Sequence, residues 1–346
     1  MEIGYKYCLF STKEKHDTMT TDQKCTKTNG RKDEKKRSEK DLMKGSVKVK
    51  KKKKIHYQLW IMALPAIIYF LVFCYGPMYG IIIAFKEFSA AKGIWGSPWV
   101  GLQQFERFFN SYQSWRLIGN TLAISILSLI FCFPFPILLA MLLNQVRNKK
   151  FKKVVQTISY APHFISIVVL CGMIILFLSP TSGFINAIIK GLGFPAVNFM
   201  AKKEWYRAIY VITDIWQNMG WNAVIYIAAL AAVDPSLYEA ARIDGAGKLQ
   251  LIRYIDFPSI LPTAVILLIM NVGSIMNVGF QKAFLLQNDL NISVSEIIST
   301  YTYKIGLVQA DYSYSTAIGL FNTVVNIILL VTVNQIAKRL TKTSLW

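Results

Sequence analysis

The segment DGAGKLQ, residues 244–250, contains glycines and a lysine in an order that suggests phosphate binding. A phosphate loop reads G-x-x-x-x-G-K-[ST] after a strand, because its backbone N–H groups and its lysine hold phosphate oxygens. Here Leu249 follows Gly247-Lys248, and Arg242 occupies the position of the first glycine. The segment therefore lacks a nucleotide-binding loop, and we expect that this chain itself hydrolyses no ATP.

Three carboxylates, Asp234, Asp244 and Asp256, lie in the same polar stretch. A membrane enzyme such as a glycosyltransferase needs acidic or metal-binding side chains gathered at one membrane face. The spacing of these three fits a helix cap and helix faces better than a metal site. The five cysteines and three histidines are scattered without metal-ligand spacing. We expect no catalytic residue and no metal ligand, and a membrane enzyme stays an alternative.

The residues around these carboxylates predict a short helix. Asp234 is a good N-cap, Pro235 suits the first helical position, and Gly245 is placed to end the helix. About ten residues give a helix of roughly 15 Å. A second short amphipathic helix is predicted over 248–257, ended by the prolines that follow it.

One face of the first short helix carries small side chains. Leu237, Ala240, Ala241 and Asp244 share this face, and the alanines allow close approach of another surface. The physical pattern fits docking onto another protein and fits an interfacial helix resting on lipid equally well. The residues alone leave both interpretations open.

The elements that position these residues are long apolar blocks. The chain has 346 residues, of which 53% are hydrophobic and 17% charged, too apolar for an ordinary soluble domain. Each block is long enough to cross about 30 Å of hydrocarbon as a helix. The blocks are 59–85, 117–143, 154–178, 208–233, 260–286 and 315–337. The sequence therefore predicts an all-α integral membrane protein with six transmembrane helices.

The positions of the basic residues predict how the chain is oriented across the membrane. They cluster before the first block, between the second and third (144–154) and after the last, which places both termini in the cytoplasm. Residues 1–54 are rich in Lys, Asp, Glu and Thr, and we predict a disordered cytoplasmic tail before a transmembrane domain over 55–346. The lysines at 48–54 fit either a topology signal or binding to anionic lipid. Much of the net charge of +20 lies in this tail, so we do not infer nucleic-acid binding.

The loop at 234–258 resembles the EAA motif of bacterial ABC-importer permeases, E-A-A-x3-G-x9-I-x-L-P, with Phe257 in place of the leucine. In that family the loop forms a coupling helix that sits in a cleft of an ATP-hydrolysing subunit. The resemblance implies that docking residues are Glu239, Ala240, Ala241, Arg242, Asp244 and Gly245. The alternative for Glu239 is a surface ion pair with Arg242, three residues further on.

The resemblance extends over 57–346 through the segments YGPMYGIIIAFKEFS, GSPWVGLQQFERFF, ISYAPHFIS, YSYSTAIGLFNTVVN and the terminal SLW. These are similar to the carbohydrate-uptake branch, more narrowly the LplB and YteP group of MalF-like permeases. The resemblance implies the type I ABC-importer permease fold in a bacterial plasma membrane. It also implies two ATP-binding subunits that carry ATP and Mg, a second MalG-like permease chain, a sugar-binding protein and an oligosaccharide cargo. This chain would bind no cofactor.

Polar residues inside the last three blocks suggest a path for the cargo. Such groups are costly in a membrane and usually face the bundle interior or a water-filled cavity. The candidates are Asp214, Asn218, Trp221, Asn222, Asn271, Asn277, Gln281, Asn322 and Asn326. Their amides suit sugar hydroxyls, but asparagines also join helices to one another. We also predict that Asp214 pairs with Lys282, the only other charged residue in the blocks. An ion-coupled secondary sugar transporter is the alternative function.

Overall fold

The computed structural model describes residues 57–341 and 344–345. The predicted tail over 1–54 lies outside the described residues. The chain divides into two compact units between Pro65 and Ala66. Every residue of the candidate sites below belongs to the second unit.

The described residues form helices joined by short connections, with no strand among them and one isolated bridge between Lys86 and Trp99. The first six helices are α1 (Trp60–Phe85), α2 (Gln103–Asn110), α3 (Tyr112–Asn144), α4 (Lys149–Phe164), α5 (Ile167–Phe177) and α6 (Phe184–Gly191). The others are α7 (Lys203–Ala231), α8 (Pro235–Ile243), α9 (Lys248–Gly273), α10 (Phe280–Leu286), α11 (Ile298–Tyr303) and α12 (Tyr312–Thr341). Single helical turns lie at Gly93–Gly96 and Ile292–Ser295, and a π-helical turn at Lys304–Val308.

Four helices, α1, α3, α9 and α12, are long and apolar enough to cross a membrane alone. Two bent pairs, α4 with α5 and α7 with α8, raise the possible number of spans to six. The all-helical membrane class predicted from the sequence is confirmed. The third predicted span was wrong as a single helix, because the chain bends by 98° between α4 and α5. Pro162 ends α4 in a tight 3₁₀ turn, and the Ser166 side chain caps α5.

The prediction for the fifth block was also wrong in its bounds. Pro258 and Pro262 do not stop the helix that begins at Lys248, because a π-helical turn over Ile252–Asp256 precedes them and α9 continues to Gly273. A wide turn accommodates the backbone groups that a proline leaves without partners. Lys282 consequently lies on a separate short helix, α10.

The helices around the candidate sites pack through two apolar clusters. The first joins α3, α5, α7 and α10 through residues that include Ile124, Leu170, Tyr206 and Ala283. The second joins α3, α7 and α9 next to the short helix α8, through Ala140, Met141, Ala223, Tyr226, Leu230 and Ile260. Both clusters contain side chains of α3 and α7, so each of them packs these two helices together.

The contact between α7 and α4 is close enough to require a glycine. A Cβ at Gly220 would overlap the backbone of Ser159. We predict that Gly220→Leu separates α7 from α4 and prevents stable folding, whereas Gly119→Leu, where a Cβ meets nothing within 4 Å, leaves the protein intact. Size-exclusion chromatography of the detergent-extracted variants measures this, and a monodisperse Gly220→Leu protein with wild-type thermal stability would contradict it.

Candidate functional site

The short helix α8 forms as its sequence signals predict. The Asp234 side chain accepts a hydrogen bond from the Ser236 backbone N–H at 2.9 Å, and this bond lowers the pKa of the Asp234 carboxyl. The carboxylate is thus ionised at physiological pH, the form that caps the positive end of a helix best. Pro235 occupies the first turn, and Gly245 follows the helix with φ of +82°. The prediction of helix bounds is confirmed to within one residue, because Asp244 is the C-cap and lies outside the helix.

The outer surface of α8 is open to solvent. Glu239, Ala240, Arg242, Asp244 and Gly245 are exposed, and Ala241 is half-buried. Two large apolar side chains that the sequence analysis did not select lie beside them, with Ile243 87% and Leu249 81% exposed. Their exposure marks a surface suited to a protein partner. Both residues are visible in the sequence as large apolar side chains in a polar stretch, but neither belongs to the predicted alanine face, so the sequence analysis did not select them.

The three carboxylates of this loop do not form a metal site. Asp234 caps α8, whereas Asp256 is fully buried and accepts hydrogen bonds from neutral side chains. Among residues 57–341 and 344–345, no group of three or more His, Cys, Asp or Glu side chains could hold a metal ion. Asp234 and Asp256 each make hydrogen bonds that hold the structure at this face.

A polar cavity of about 390 Å³ opens between α3, α7, α9 and the segment that follows α9. Four of the predicted path residues line it, namely Asp214, Asn222, Asn271 and Asn277. Ser274 also lines it, and the sequence analysis missed the polar lining residues Ser125, Ser128, Tyr210 and Tyr226. The serines of α3 are three residues apart and so share a helix face, a signal that the search for amides in the last blocks passed over.

The remaining path candidates lie off this wall, and four of them join elements to one another. Asn218 donates to Asp214 Oδ1 at 3.1 Å and contacts His163 Nδ1 at 3.0 Å. The Trp221 ring stacks parallel to the His163 ring at 4.7 Å. Asn218 and Trp221 therefore attach α7 to the 3₁₀ turn that ends α4. Gln281 is exposed on α10, outside the cavity wall.

The asparagines of α12 hold the segment that closes the cavity. Asn322 donates to Asn277 Oδ1 at 2.8 Å, and Asn326 accepts from the Met276 backbone N–H at 3.1 Å. This segment lies after the end of α9, where the backbone has lost its helical hydrogen bonds. Asn322 thus stands behind Asn277, which itself faces the cavity.

The predicted pair between Asp214 and Lys282 is confirmed, with Lys282 Nζ 3.5 Å from Asp214 Oδ1. Lys282 also donates to the Tyr210 carbonyl at 2.9 Å and lies over the Tyr210 ring at 4.6 Å. The lysine side chain is 5% exposed and the aspartate side chain 29%, because Asp214 faces the cavity. Asp214 therefore places a carboxylate in the cavity wall, and its charge is balanced by Lys282, which does not line the cavity.

A second charged cluster joins α2 and the start of α3 to the segment between α10 and α12. Glu296 is nearly buried and contacts Arg116 at 2.9 Å and Lys304 at 3.1 Å, and Arg107 contacts Asp311 at 2.8 Å. The aromatic segment over 96–115 nearby has exposed rings at Trp99, Tyr112 and Trp115. Their exposure fits contact with a sugar-binding protein and anchoring at the membrane interface equally well.

Comparison with known proteins identifies the same architecture. The family described as "Binding-protein-dependent transport system inner membrane component" matches residues 133–342. The chain is 43% identical over 281 residues to "Protein LplB" of Bacillus subtilis (strain 168), covering 81% of this chain and 88% of that protein. It is 46% identical over 281 residues to the "Polygalacturonan/rhamnogalacturonan transport system permease protein YteP" of the same organism, with the same coverage.

A solved structure shares the fold. It is described as "Crystal structure of bacterial alginate ABC transporter in complex with alginate pentasaccharide-bound periplasmic protein". Its matching chain superposes with a TM-score of 0.78 at 42% identity, covering 84% of this chain and 96% of that chain. The permease fold that the sequence predicted is thereby confirmed.

Proposed function

Since the chain belongs to the family of binding-protein-dependent transport system inner membrane components, we propose that it is the permease subunit of an ATP-driven importer for an oligosaccharide or polysaccharide fragment. The observation that carries the proposal is α8, a capped helix with an exposed outer surface directly after a membrane-length helix. The exposed Ile243 and Leu249 beside it favour a surface that a partner covers. The relatives named as transport permease proteins support the same role.

In this proposal the chain moves sugar by alternating access and performs no hydrolysis. Two ATP-binding subunits carry ATP and Mg, and each binds the coupling helix of one permease chain, which is α8 in this chain. A second, MalG-like permease chain completes the path. When the ATP-binding subunits close, they move α8, and the surrounding helices open the cavity to the other side of the membrane. The docking residues are Glu239 to Arg242, Asp244 and Gly245.

The cargo is proposed from the chemistry of the cavity. Its wall presents amides at Asn222, Asn271 and Asn277, hydroxyls at Ser125 and Ser128, and two tyrosine rings. Amides and hydroxyls both donate to and accept from sugar hydroxyls, and aromatic rings cover the apolar face of a sugar. The relatives named for polygalacturonan and rhamnogalacturonan, and the alginate transporter with its pentasaccharide-bound periplasmic protein, support a glycan delivered by a binding protein.

The proposed location is a bacterial plasma membrane with both termini in the cytoplasm. The basic segment over 144–154 and the basic end of α12, with Lys338 and Arg339, then lie on the same side as α8. To measure this arrangement, single cysteines are introduced one at a time into the loops 86–116 and 234–247, and their reaction with a membrane-impermeant maleimide is followed. Labelling of the second loop in intact cells would contradict it.

The decisive experiment is gentle extraction of the full chain from its native membrane, followed by mass spectrometry of what copurifies. We expect a stoichiometric ATP-binding subunit and a second multispan chain. A stable single species that takes up sugar in liposomes on an ion gradient alone would instead establish the secondary transporter. A single species that turns over sugar would establish the membrane enzyme.

The docking surface makes a prediction at Glu239. Glu239→Lys reverses the charge at an exposed position of α8 without disturbing the cap or the buried side of the helix. We expect ATP-dependent uptake to fall about tenfold, because a like-charge or unpaired contact at an interface costs about 1–2 kcal/mol. Glu204→Lys, which makes the same charge reversal at an exposed position in the first turn of α7, the end of that helix away from α8, is the control. Equal uptake in both variants and wild type would contradict the assignment.

The cavity wall makes a prediction at Asn271. Asn271→Leu keeps the size of the side chain and removes both hydrogen-bonding groups from the wall. We therefore expect the half-saturating sugar concentration to rise two- to tenfold, which corresponds to the loss of about one hydrogen bond to the sugar. Met270→Leu changes the neighbouring exposed residue, which is absent from the wall, and should leave uptake unchanged. Unchanged uptake in Asn271→Leu together with Asn222→Leu would remove the cavity from the sugar path.

A further inference from the structure

A buried carboxylate lies at the inner side of α8. Asp256 has no exposed surface, and its Oδ1 accepts from the Tyr238 hydroxyl at 2.6 Å and from Asn144 Nδ2 at 3.0 Å. Its Oδ2 accepts from Gln145 Nε2 at 2.6 Å. Asn144 Nδ2 also lies 3.1 Å from the Tyr238 hydroxyl oxygen, so the network closes on itself.

The four members of this network come from three structural elements. Asn144 is the last residue of α3 and Gln145 is its C-cap, Tyr238 lies in the middle of α8, and Asp256 ends the π-helical turn of α9. Asn144 and Asp256 are 112 residues apart in sequence. The network therefore makes a direct connection between α8 and the end of α3, which the chain itself does not join to α8.

The choice of a carboxylate has a physical consequence. All three hydrogen-bond donors are neutral side chains, and removing one of them leaves a buried charged acceptor with less than its full set of partners. Such a group makes the arrangement of its neighbours specific, because alternative positions of α8 break charge-assisted bonds. An apolar contact at the same place would tolerate sliding of α8.

The two helices that the network joins to α8 also form the cavity wall. α3 carries Ser125 and Ser128, and α9 carries Asn271. Met141 of α3 and Ile260 of α9 also belong to one apolar cluster with Ala223 and Tyr226 of α7, so side chains of all three helices pack together there. A displacement of α8 is consequently applied to both walls of the cavity at the same time.

We propose that the Tyr238–Asp256–Asn144–Gln145 network is the connection that transmits movement of α8 to α3 and α9 during transport. The proposal rests on the proposed function and adds the residues through which docking acts on the cavity. Tyr238 and Asp256 are positioning residues in it, since neither faces the cavity nor the exposed docking surface. Loss of the network leaves a docked but poorly connected α8.

The test uses the complete transporter, with its copurified ATP-binding subunits, second permease and binding protein, in liposomes. Tyr238→Phe removes one donor and keeps the ring, and Asp256→Asn replaces one acceptor oxygen with a donor that faces other donors. Tyr254→Phe makes the same change at a tyrosine that is 69% exposed in the same loop, and serves as the control. The measurements are sugar imported per ATP hydrolysed and the amount of ATP-binding subunit that copurifies.

We expect both network variants to retain the ATP-binding subunit and basal ATP hydrolysis, and to import at least about tenfold less sugar per ATP, the low end of the range for one charge-assisted hydrogen bond. The Tyr254→Phe control keeps the wild-type ratio. A wild-type ratio in both network variants would overturn the proposal, and so would loss of the ATP-binding subunit, which would make the network a scaffold for docking alone. Failure of the wild-type complex to import sugar with ATP would count against the proposed function instead.

Discussion

Gly245→Val reduces ATP-dependent uptake by at least about tenfold while the chain still reaches the membrane, and this is one of the two largest effects that we expect. Gly245 has φ of +82°, a conformation that costs a side-chain-bearing residue about 1–2 kcal/mol and a β-branched residue more. The position itself is open, since a Cβ there meets no atom within 4 Å. The free-energy cost of the substitution therefore comes from the backbone conformation of residue 245 and not from contact with a neighbouring residue.

The strain acts on the end of α8. In the present conformation the Ala246 backbone N–H donates to the Ala241 carbonyl at 2.9 Å, and this bond wraps the chain around the last turn. Valine at 245 favours a negative φ, which opens the wrap and alters the path from α8 to α9. The exposed docking residues Arg242 and Asp244 then lose their positions. A population shift of 1.4 kcal/mol is already tenfold.

Gly247→Val is the matched control. Gly247 is two residues further on in the same loop, with φ of −74° and ψ of +166°, a conformation that any residue adopts. A Cβ there lies 3.7 Å from Gln250 Oε1, an ordinary contact. Copurification of the ATP-binding subunit and uptake in liposomes are measured for both variants. Equal loss in both would show that bulk in the loop matters and that the left-handed conformation does not.

Local signals in the sequence predicted α8 well because they act within the helix itself. The cap at Asp234, the proline after it and the glycine at 245 each satisfy or end backbone hydrogen bonds without help from distant residues. The break between α4 and α5 has local signals in Pro162 and Ser166, but its turn is also held by His163 against Trp221 of α7. The end of α9 at Gly273 lies against Leu330 of α12, which no local signal shows. Hydrophobicity alone does not distinguish a straight span from a bent one.

The candidate sites show the same division. Helical periodicity correctly grouped Asp214 and Asn218 on neighbouring turns, and the structure bonds them to each other. Asn222 was grouped with them and lines the cavity, but periodicity did not show that Asn326 would instead hold a backbone N–H. Asparagine serves both purposes with the same two groups, so only the neighbouring helix decides between them. The sequence likewise showed Asp256 as one of three acidic residues, but it did not show that Asp256 is buried and accepts hydrogen bonds from α3 and α8.

The pair of charges beside the cavity gives the second large effect. Asp214→Ala leaves the Lys282 ammonium 5% exposed, with the Tyr210 carbonyl and ring as its remaining partners. An uncompensated buried charge costs about 3–5 kcal/mol, so we expect a fall of at least about 5 °C in the thermal midpoint of the detergent-extracted protein. Lys282→Met should cost less, because the Asp214 carboxylate that it leaves is 29% exposed toward a polar cavity where water can solvate it.

This asymmetry separates a structural pair from a charge that recognises cargo. The double variant Asp214→Ala/Lys282→Met removes both charges, so its thermal midpoint should recover to near that of Lys282→Met. If the pair only holds α7 to α10, uptake recovers with stability, since the amides of the wall are unchanged. If uptake stays low in a stable double variant, the Asp214 carboxylate itself contacts the sugar. Equal stability of Asp214→Ala and wild type would mean that Lys282 reaches water in the cavity and that the pair does not hold the two helices together.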